Sequence, residues 1–244
     1  MNTYKFIIPI IASFSTILGI IPTYLKKDKQ NNLINKSLSF TLGVMLTLSV
    51  ISLIPEAISY QNKINIITIL ITLIFVVFGI ILSQLIDSYI NNKLNKDNLY
   101  KLGIISILAI TLHNIPEGIT TFLATKTDYK LGLKLSLAIA LHNIPEGISI
   151  AVPIYYSTKN RFKTFILTLF SGISELIGSI IALLLIKQPN PLIMSFILAI
   201  TAGIMIQISI YEIIPNLKEL NNKKITYKYI IIGIITMLIC HLIL

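Results

Sequence analysis

Long apolar segments separated by short polar connections run through the whole chain. Eight of them reach about the 20 residues that a helix needs to cross the hydrocarbon core of a bilayer. The connections are rich in Lys, Asn, Asp and Pro and leave no room for a folded domain outside the membrane. The pattern predicts an all-α integral membrane protein whose residues 1–244 form a single transmembrane domain. The predicted spans are 6–25, 37–59, 64–89, 100–125, 131–156, 164–186, 191–215 and 226–244.

Composition agrees with a membrane setting. Hydrophobic residues make up 55% of the chain and charged residues only 12%, whereas a soluble domain carries about 25% charged residues. The net charge of +10 is a level seen in nucleic-acid-binding proteins. Here, however, the lysines lie in the short connections, so we predict the lipid bilayer as the surroundings and no nucleic-acid partner. The single cysteine, Cys240, excludes an intramolecular disulfide and a thiolate zinc cluster.

The distribution of basic residues predicts the orientation, because Lys and Arg concentrate in cytoplasmic connections. Four alternate connections are basic: 26–36, 93–101, 159–163 and 218–228. If they are cytoplasmic, about 14 of the 20 basic residues face inward and both termini lie outside. The connection with Lys126, Lys130 and Lys134 disagrees. A cleaved signal peptide is an alternative for the first segment, but it lacks a small-x-small cleavage site and its flank carries only Lys5, so we expect a retained span.

Two copies of the hexapeptide HNIPEG lie in the fourth and fifth predicted spans, at residues 113–118 and 142–147. The turn near 127–130 is about equally far from each copy, so antiparallel helices place both motifs at one depth, near the membrane midplane. Lys and Arg occur only near the ends of the apolar stretches, so none is placed to neutralise the two glutamates. Ionisable groups at such depth are costly and usually functional. The missing positive charge is most simply a metal cation.

Each hexapeptide places an imidazole and a carboxylate four residues apart, on one face of a helix. Facing helices would thereby offer four ligands of the kind that Zn²⁺ takes, with two asparagine oxygens beside them. The prolines free a backbone carbonyl one turn earlier, and the glycines let another helix approach. The alternative is a buried His–Glu hydrogen bond in each helix, which two copies at matched depth make the weaker interpretation. The predicted metal ligands are His113, Asn114, Glu117, His142, Asn143 and Glu146.

Four further polar residues fall within apolar spans. Glu175 lies in the middle of the sixth span and is either a ligand that favours a second metal or a protonated hydrogen-bond donor. Glu56 and Glu212 lie about one turn inside the two membrane faces, each near a proline, and either line the route of the ion or are interfacial. Gln207 is either a pathway residue or a helix–helix hydrogen bond.

With this doubled motif the chain resembles the ZIP family of divalent-metal transporters, and most of all its short bacterial zinc-uptake branch. The resemblance covers essentially the whole chain. It implies a 3+2+3 inverted repeat in a bacterial plasma membrane, with both termini outside. It also implies uptake of Zn²⁺, and often of Fe²⁺, Mn²⁺, Co²⁺ or Cd²⁺, as transported ions rather than cofactors. The resemblance leaves open whether the protein forms a homodimer.

The resemblance further implies a two-metal centre. One metal would be held by His113, Glu117, His142 and Glu146. The other would be held by Asn114, Glu117, Asn143, Glu146 and Glu175, so that two glutamates bridge the pair.

Two other functions compete with a carrier. An intramembrane zinc hydrolase would use the same His and Glu residues to activate water. Zinc proteases often carry HExxH, with Glu directly after the first His, whereas Asn follows His here. We therefore expect no enzyme activity. A passive metal channel would share every residue with a carrier, and the sequence does not separate those two.

Overall fold

The computed structural model describes residues 4–24, 30–61, 64–93, 98–127, 129–185 and 190–243, and every regular element in these ranges is helical. A 3₁₀ segment, Thr16–Tyr24, extends the first helix, and two π-helical segments, Leu48–Leu53 and Ser209–Ile213, each join two α-helices without a break. The α-helices are α1 (Tyr4–Ser15), α2 (Gln30–Thr47), α3 (Ile54–Ser59), α4 (Ile66–Lys93), α5 (Asn98–Thr127), α6 (Tyr129–Thr158), α7 (Arg161–Leu185), α8 (Pro191–Ile208), α9 (Ile214–Leu220) and α10 (Lys223–Ile243).

Each of the eight predicted segments falls on one of these helical runs, apart from residues 64 and 65, which precede α4, and residues 25, 186 and 244, which lie outside the described ranges. The largest differences are at the second and seventh segments. α2 begins at Gln30 rather than at 37, and α9 continues to Leu220 rather than ending at 215. The hydropathy pattern marks only the apolar part of a helix, so polar turns that extend it beyond the bilayer escape the prediction.

The apolar character of these helices identifies an all-α membrane protein, as predicted. Six runs are long and apolar enough to cross a bilayer, and Pro9–Tyr24 is apolar but shorter. Large apolar side chains such as Ile66, Ile74, Leu184 and Ile231 point outward, as a lipid-facing surface requires. That the chain crosses the membrane eight times stays a prediction. The six runs are Asn31–Ser59, Ile66–Tyr89, Leu99–Lys126, Arg161–Leu185, Pro191–Leu220 and Lys223–Leu242.

The α2–α3 and α8–α9 runs share one local structure. In each, the first residue after the π segment donates its N–H five residues back, to Ser49 O in one run and to Ser209 O in the other. Pro55 and Pro215 come next in the chain. Proline has no N–H and its ring crowds the carbonyl one turn earlier, and the wider π turn accommodates that crowding. Such π segments are frequent at functional sites.

Aligning these two prolines shows that the carboxylates of the two runs are not at equivalent positions. Glu56 aligns with Asn216, and Glu212 aligns with Ser52. Glu56 therefore follows its π segment, whereas Glu212 lies within its own.

The helices pack in two groups. In the first, α5 packs along α7, and α6 packs along α1 and its 3₁₀ extension. In the second, α2 packs along α10, and α4 packs along α8. α5 and α6 also pack against each other, so they occupy the centre of the first group.

Paired glycines mark the closest approach in all four of these contacts. A Cβ on any of them would collide with the main chain of the facing helix. Small residues allow such close packing where lipid supplies no hydrophobic driving force. The pairs are Gly118 with Gly178, Gly19 with Gly147, Gly43 with Gly233, and Gly79 with Gly203.

Candidate metal centre

α5 and α6 bring the His and Glu residues of the two hexapeptides together. His142 Nε2 lies 2.8 Å from Glu117 Oε1, and His113 Nε2 lies 3.1 Å from the same oxygen. Glu146 Oε1 is 3.6 Å from His113 Nε2. All four side chains are buried. The structure thus gathers the four residues that the sequence predicted as the first ligand set.

Asn114, Asn143 and Glu175 form a second polar group beside the first. Asn143 Nδ2 donates to Glu175 Oε2 at 2.9 Å and to Ala12 O at 3.0 Å. Asn114 Nδ2 donates to Ser171 O at 3.2 Å. Because both amide nitrogens are engaged in this way, each amide keeps its Oδ1 for another partner. These three side chains are also fully buried.

Close helix packing brings Glu175 to the centre. Gly118 on α5 and Gly178 on α7 let the two backbones meet, and a Cβ at Gly118 would collide with the carbonyl of Glu175 itself. Ser179 Oγ adds a hydrogen bond to Gly118 O at 3.0 Å. Gly118 therefore allows α7, the helix that carries Glu175, to pack closely against α5.

Pro116 and Pro145 lie inside α5 and α6, and both helices continue through them. Each proline lacks the N–H that would bond to the carbonyl one turn back. That carbonyl belongs to Leu112 in α5 and to Leu141 in α6. Membrane helices tolerate such interruptions where neighbouring groups satisfy the freed carbonyl.

The side chains of the two hexapeptides and Glu175 include several buried hydrogen-bond acceptors that have no donor. Within the described part of the chain, no hydrogen-bond partner is found for Asn114 Oδ1, Asn143 Oδ1, Glu117 Oε2, Glu175 Oε1 or either carboxylate oxygen of Glu146. Buried acceptors of this kind are costly unless they are satisfied. A divalent cation satisfies several at once. One ligand atom each from His113, His142 and Glu146 lie within 4.8 Å of one another, a nitrogen and oxygen set suited to Zn²⁺.

A crevice of about 60 Å³ lies between this group and the first turn of α3. Its lining includes Glu117 and His142 as well as Glu56, Ser52 and Thr120. Glu56 is exposed at the surface. The structure therefore connects the predicted pathway residue Glu56 to the buried histidine and glutamate. Ser52 and Thr120 were not predicted, although Ser52 is four residues before Glu56 and hence on its face of the helix.

Glu212 lies at the opposite end of the bundle from Glu56. Its side chain is half-buried and shares a hydrogen bond with the carboxyl group of Asp87 on α4, and Lys101 at the start of α5 is nearby. Sequence reasoning missed Asp87. The signal was present, because Asp87 is an acidic residue in an otherwise apolar predicted span.

Gln207 lies at the contact between α8 and α4. Ser83 Oγ on α4 donates to Gln207 Oε1 at 2.6 Å, and both residues are buried. Of the two roles foreseen for Gln207, this contact is the helix–helix hydrogen bond.

Comparison with known proteins identifies the family of the chain. The sequence model of a family described as "ZIP Zinc transporter" matches residues 91–241, which include both hexapeptides and Glu175. The chain belongs to the ZIP family. Similar proteins include one named zinc transporter ZupT from Chlorobaculum parvum, 33% identical over 96% of this chain and 95% of that protein. Another of that name, from Streptococcus mutans, is 32% identical over 95% and 94% of the two chains.

Membership of the ZIP family classes this chain as a ZupT-like transporter rather than an enzyme. The alternative of an intramembrane zinc hydrolase finds no support in it. The family match spans α5, α6 and α7, the three helices that supply all seven predicted ligands.

Proposed function

We propose that the protein carries Zn²⁺ across the bacterial plasma membrane into the cytoplasm through the buried centre between α5 and α6. The observation that carries the proposal is the cluster of two imidazoles and two carboxylates with unpartnered acceptors in a lipid-soluble helix bundle. The relatives named as zinc transporters support the choice of ion. Two glutamates balance one divalent ion, so the loaded site is about neutral.

We propose further that the centre holds two metals. His113 and His142 would ligate one, and the side-chain oxygens of Asn114, Asn143 and Glu175 would ligate the other. Glu117 and Glu146 would bridge them. In support, the two amide groups are anchored through their nitrogens, which leaves their oxygens free to bind a cation.

The mixture of ligands supports a broad range of ions. Imidazole nitrogen suits Zn²⁺, and an oxygen-rich pocket suits harder ions such as Mn²⁺ and Fe²⁺. We propose that Fe²⁺, Mn²⁺, Co²⁺ and Cd²⁺ are also carried.

A 3+2+3 inverted repeat of eight spans is the architecture we propose. The first three spans would match the last three, and α5 and α6 would form the central pair. Two observations support it. The contact of α2 with α10 is matched by that of α8 with α4, each with its glycine pair. The π segments before Pro55 and Pro215 form a second match. Binding sites in inverted-repeat transporters lie at the interface of the repeats, near the midplane.

The orientation follows from the charge bias, with both termini outside. Glu56 would then lie at the outer mouth, and Glu212 with Asp87 would lie at the inner mouth. The crevice from Glu56 to Glu117 and His142 supports access from the outer side. A cation from outside would meet a carboxylate, the central site and a carboxyl pair in turn.

Radioactive zinc accumulation in proteoliposomes tests this function, with a hydrolysis assay on peptide substrates run on the same preparation. We expect saturable uptake and no hydrolysis. Hydrolysis without uptake would contradict the proposal. Counterflow separates a carrier from a channel, because only a carrier exchanges internal unlabelled zinc for external label against the gradient.

A further inference from the structure

The third histidine of the chain, His241, lies apart from the central cluster. It is exposed near the end of α10, whereas His113 and His142 are buried. Its Nδ1 lies 3.2 Å from Ser52 Oγ, in the last turn of the π segment before α3. This contact joins two helices that are far apart in sequence.

The partner of His241 forms part of the crevice that leads to the central cluster. Ser52 lines that crevice together with Glu56 and Met237. Met237 is one helical turn before His241, and residues four apart on a helix share a face. His241 therefore lies next to the crevice, one turn beyond the lining residue Met237 and in contact with the lining residue Ser52.

A carboxylate lies about one helical turn beyond the serine that contacts this histidine. Glu56 follows Ser52 by four residues, so both project to one side of their helical run, and both line the crevice. Ser52 thus links the imidazole of α10 to the carboxylate of α3. Ligating histidines usually donate their second ring N–H to a nearby oxygen, which fixes the orientation of the ring. In the tautomer that carries its proton on Nδ1, His241 donates to Ser52 Oγ, and Nε2 then has a lone pair for a cation.

We propose that His241 and Glu56 form an outer capture site for Zn²⁺, which passes the ion along the crevice to Glu117 and His142. Two protein ligands, with water completing the coordination, bind more weakly than the four of the central cluster. Weak binding suits a site that must release its ion inward. The imidazole selects Zn²⁺ over Mg²⁺ and Ca²⁺, which take oxygen ligands. This inference rests on the proposed function and on the proposed orientation.

Zinc uptake at graded external concentrations tests the capture site. His241→Gln and Glu56→Gln should each raise KM for zinc about tenfold, which corresponds to about 1.4 kcal/mol, while kcat changes little. The matched control is Glu219→Gln, which removes an exposed carboxylate elsewhere and should leave KM unchanged. A wild-type KM in His241→Gln would overturn the capture site, whereas absence of uptake by the wild-type protein would overturn the proposed function instead.

A binding measurement tests the capture site independently of transport. In a Glu117→Ala/Glu146→Ala variant, diethylpyrocarbonate modification of His241 is followed by mass spectrometry with and without Zn²⁺. Zinc should protect His241 severalfold, Mg²⁺ should not, and adding Glu56→Gln should abolish the protection. Equal modification of His241 with and without zinc would overturn the proposal. A normal elution profile on gel filtration verifies that the variant is folded.

Discussion

His142 Nε2 lies 2.8 Å from Glu117 Oε1 although the two residues belong to different hexapeptides on different helices. The first motif thus supplies the carboxylate for the second motif's histidine. Glu117 also lies 3.1 Å from His113 of its own motif. Neither hexapeptide is a complete site, so the centre exists only when α5 and α6 are correctly aligned.

Replacing either shared carboxylate should nearly abolish metal uptake. In Glu117→Ala or Glu146→Ala, a bound cation is left under-neutralised in a buried site, at a cost of about 3–5 kcal/mol. Zinc uptake at low concentration should therefore fall by at least about 100-fold. Uptake is measured at matched amounts of protein in the membrane, with Glu219→Ala as the control. Normal rates in either variant would exclude a shared role for the two glutamates.

Asn143→Ala should change the choice of ion more than the total flux. The substitution removes a proposed oxygen ligand and also the hydrogen bond that holds Glu175, so the oxygen-rich side of the centre loses two fixed groups. Uptake of Mn²⁺ and Fe²⁺ should fall several times more than uptake of Zn²⁺. Competition assays with labelled zinc and unlabelled competitors measure this. Ser157→Ala on the same helix is the control, and an equal loss for all ions would contradict the division into two pockets.

Gly118→Ala should damage the centre without touching a ligand. Its Cβ would collide with the carbonyl of Glu175 and push α7 away from α5. Overpacking of this kind costs about 1–3 kcal/mol, so both Tm and uptake should drop. Leu108→Ala is the matched control on α5, because the side chain of Leu108 is exposed and its truncation forces no helices apart. A Gly118→Ala variant with wild-type Tm and uptake would contradict the proposed role of this contact.

Thiol labelling tests the orientation. Glu56→Cys should react with a membrane-impermeant thiol reagent added outside, and Glu212→Cys should react only from the cytoplasmic side. Both are made in a Cys240→Ser background to remove the single native thiol. The reverse pattern would overturn the topology and, with it, transport into the cytoplasm rather than out of it.

Much of the centre could be predicted from sequence because its main side chains lie within two short motifs that are close together in the chain. The spacing within each hexapeptide determines which side chains share a helix face. The similar distance of both hexapeptides from the connection between α5 and α6 places them at the same depth in the membrane. The link between Asn143 and Glu175 could not be predicted, because it depends on how α7 packs against α6. His241 was missed for the same reason, since it acquires its partner through a contact between helices distant in sequence. Asp87 was visible as an acidic residue in an apolar span, but its pairing with Glu212 also depends on helix packing.

The coordination of bound zinc tests the central claim most directly. X-ray absorption at the zinc edge, on purified protein with one equivalent of zinc in a His241→Gln background, reports the atoms around the metal. We predict nitrogen and oxygen ligands at about 2.0–2.2 Å, with imidazole scattering that disappears in the additional His113→Ala/His142→Ala variant. A first shell without imidazole scattering in the His241→Gln protein, or one that contains sulfur, would contradict a zinc site built from the two hexapeptides.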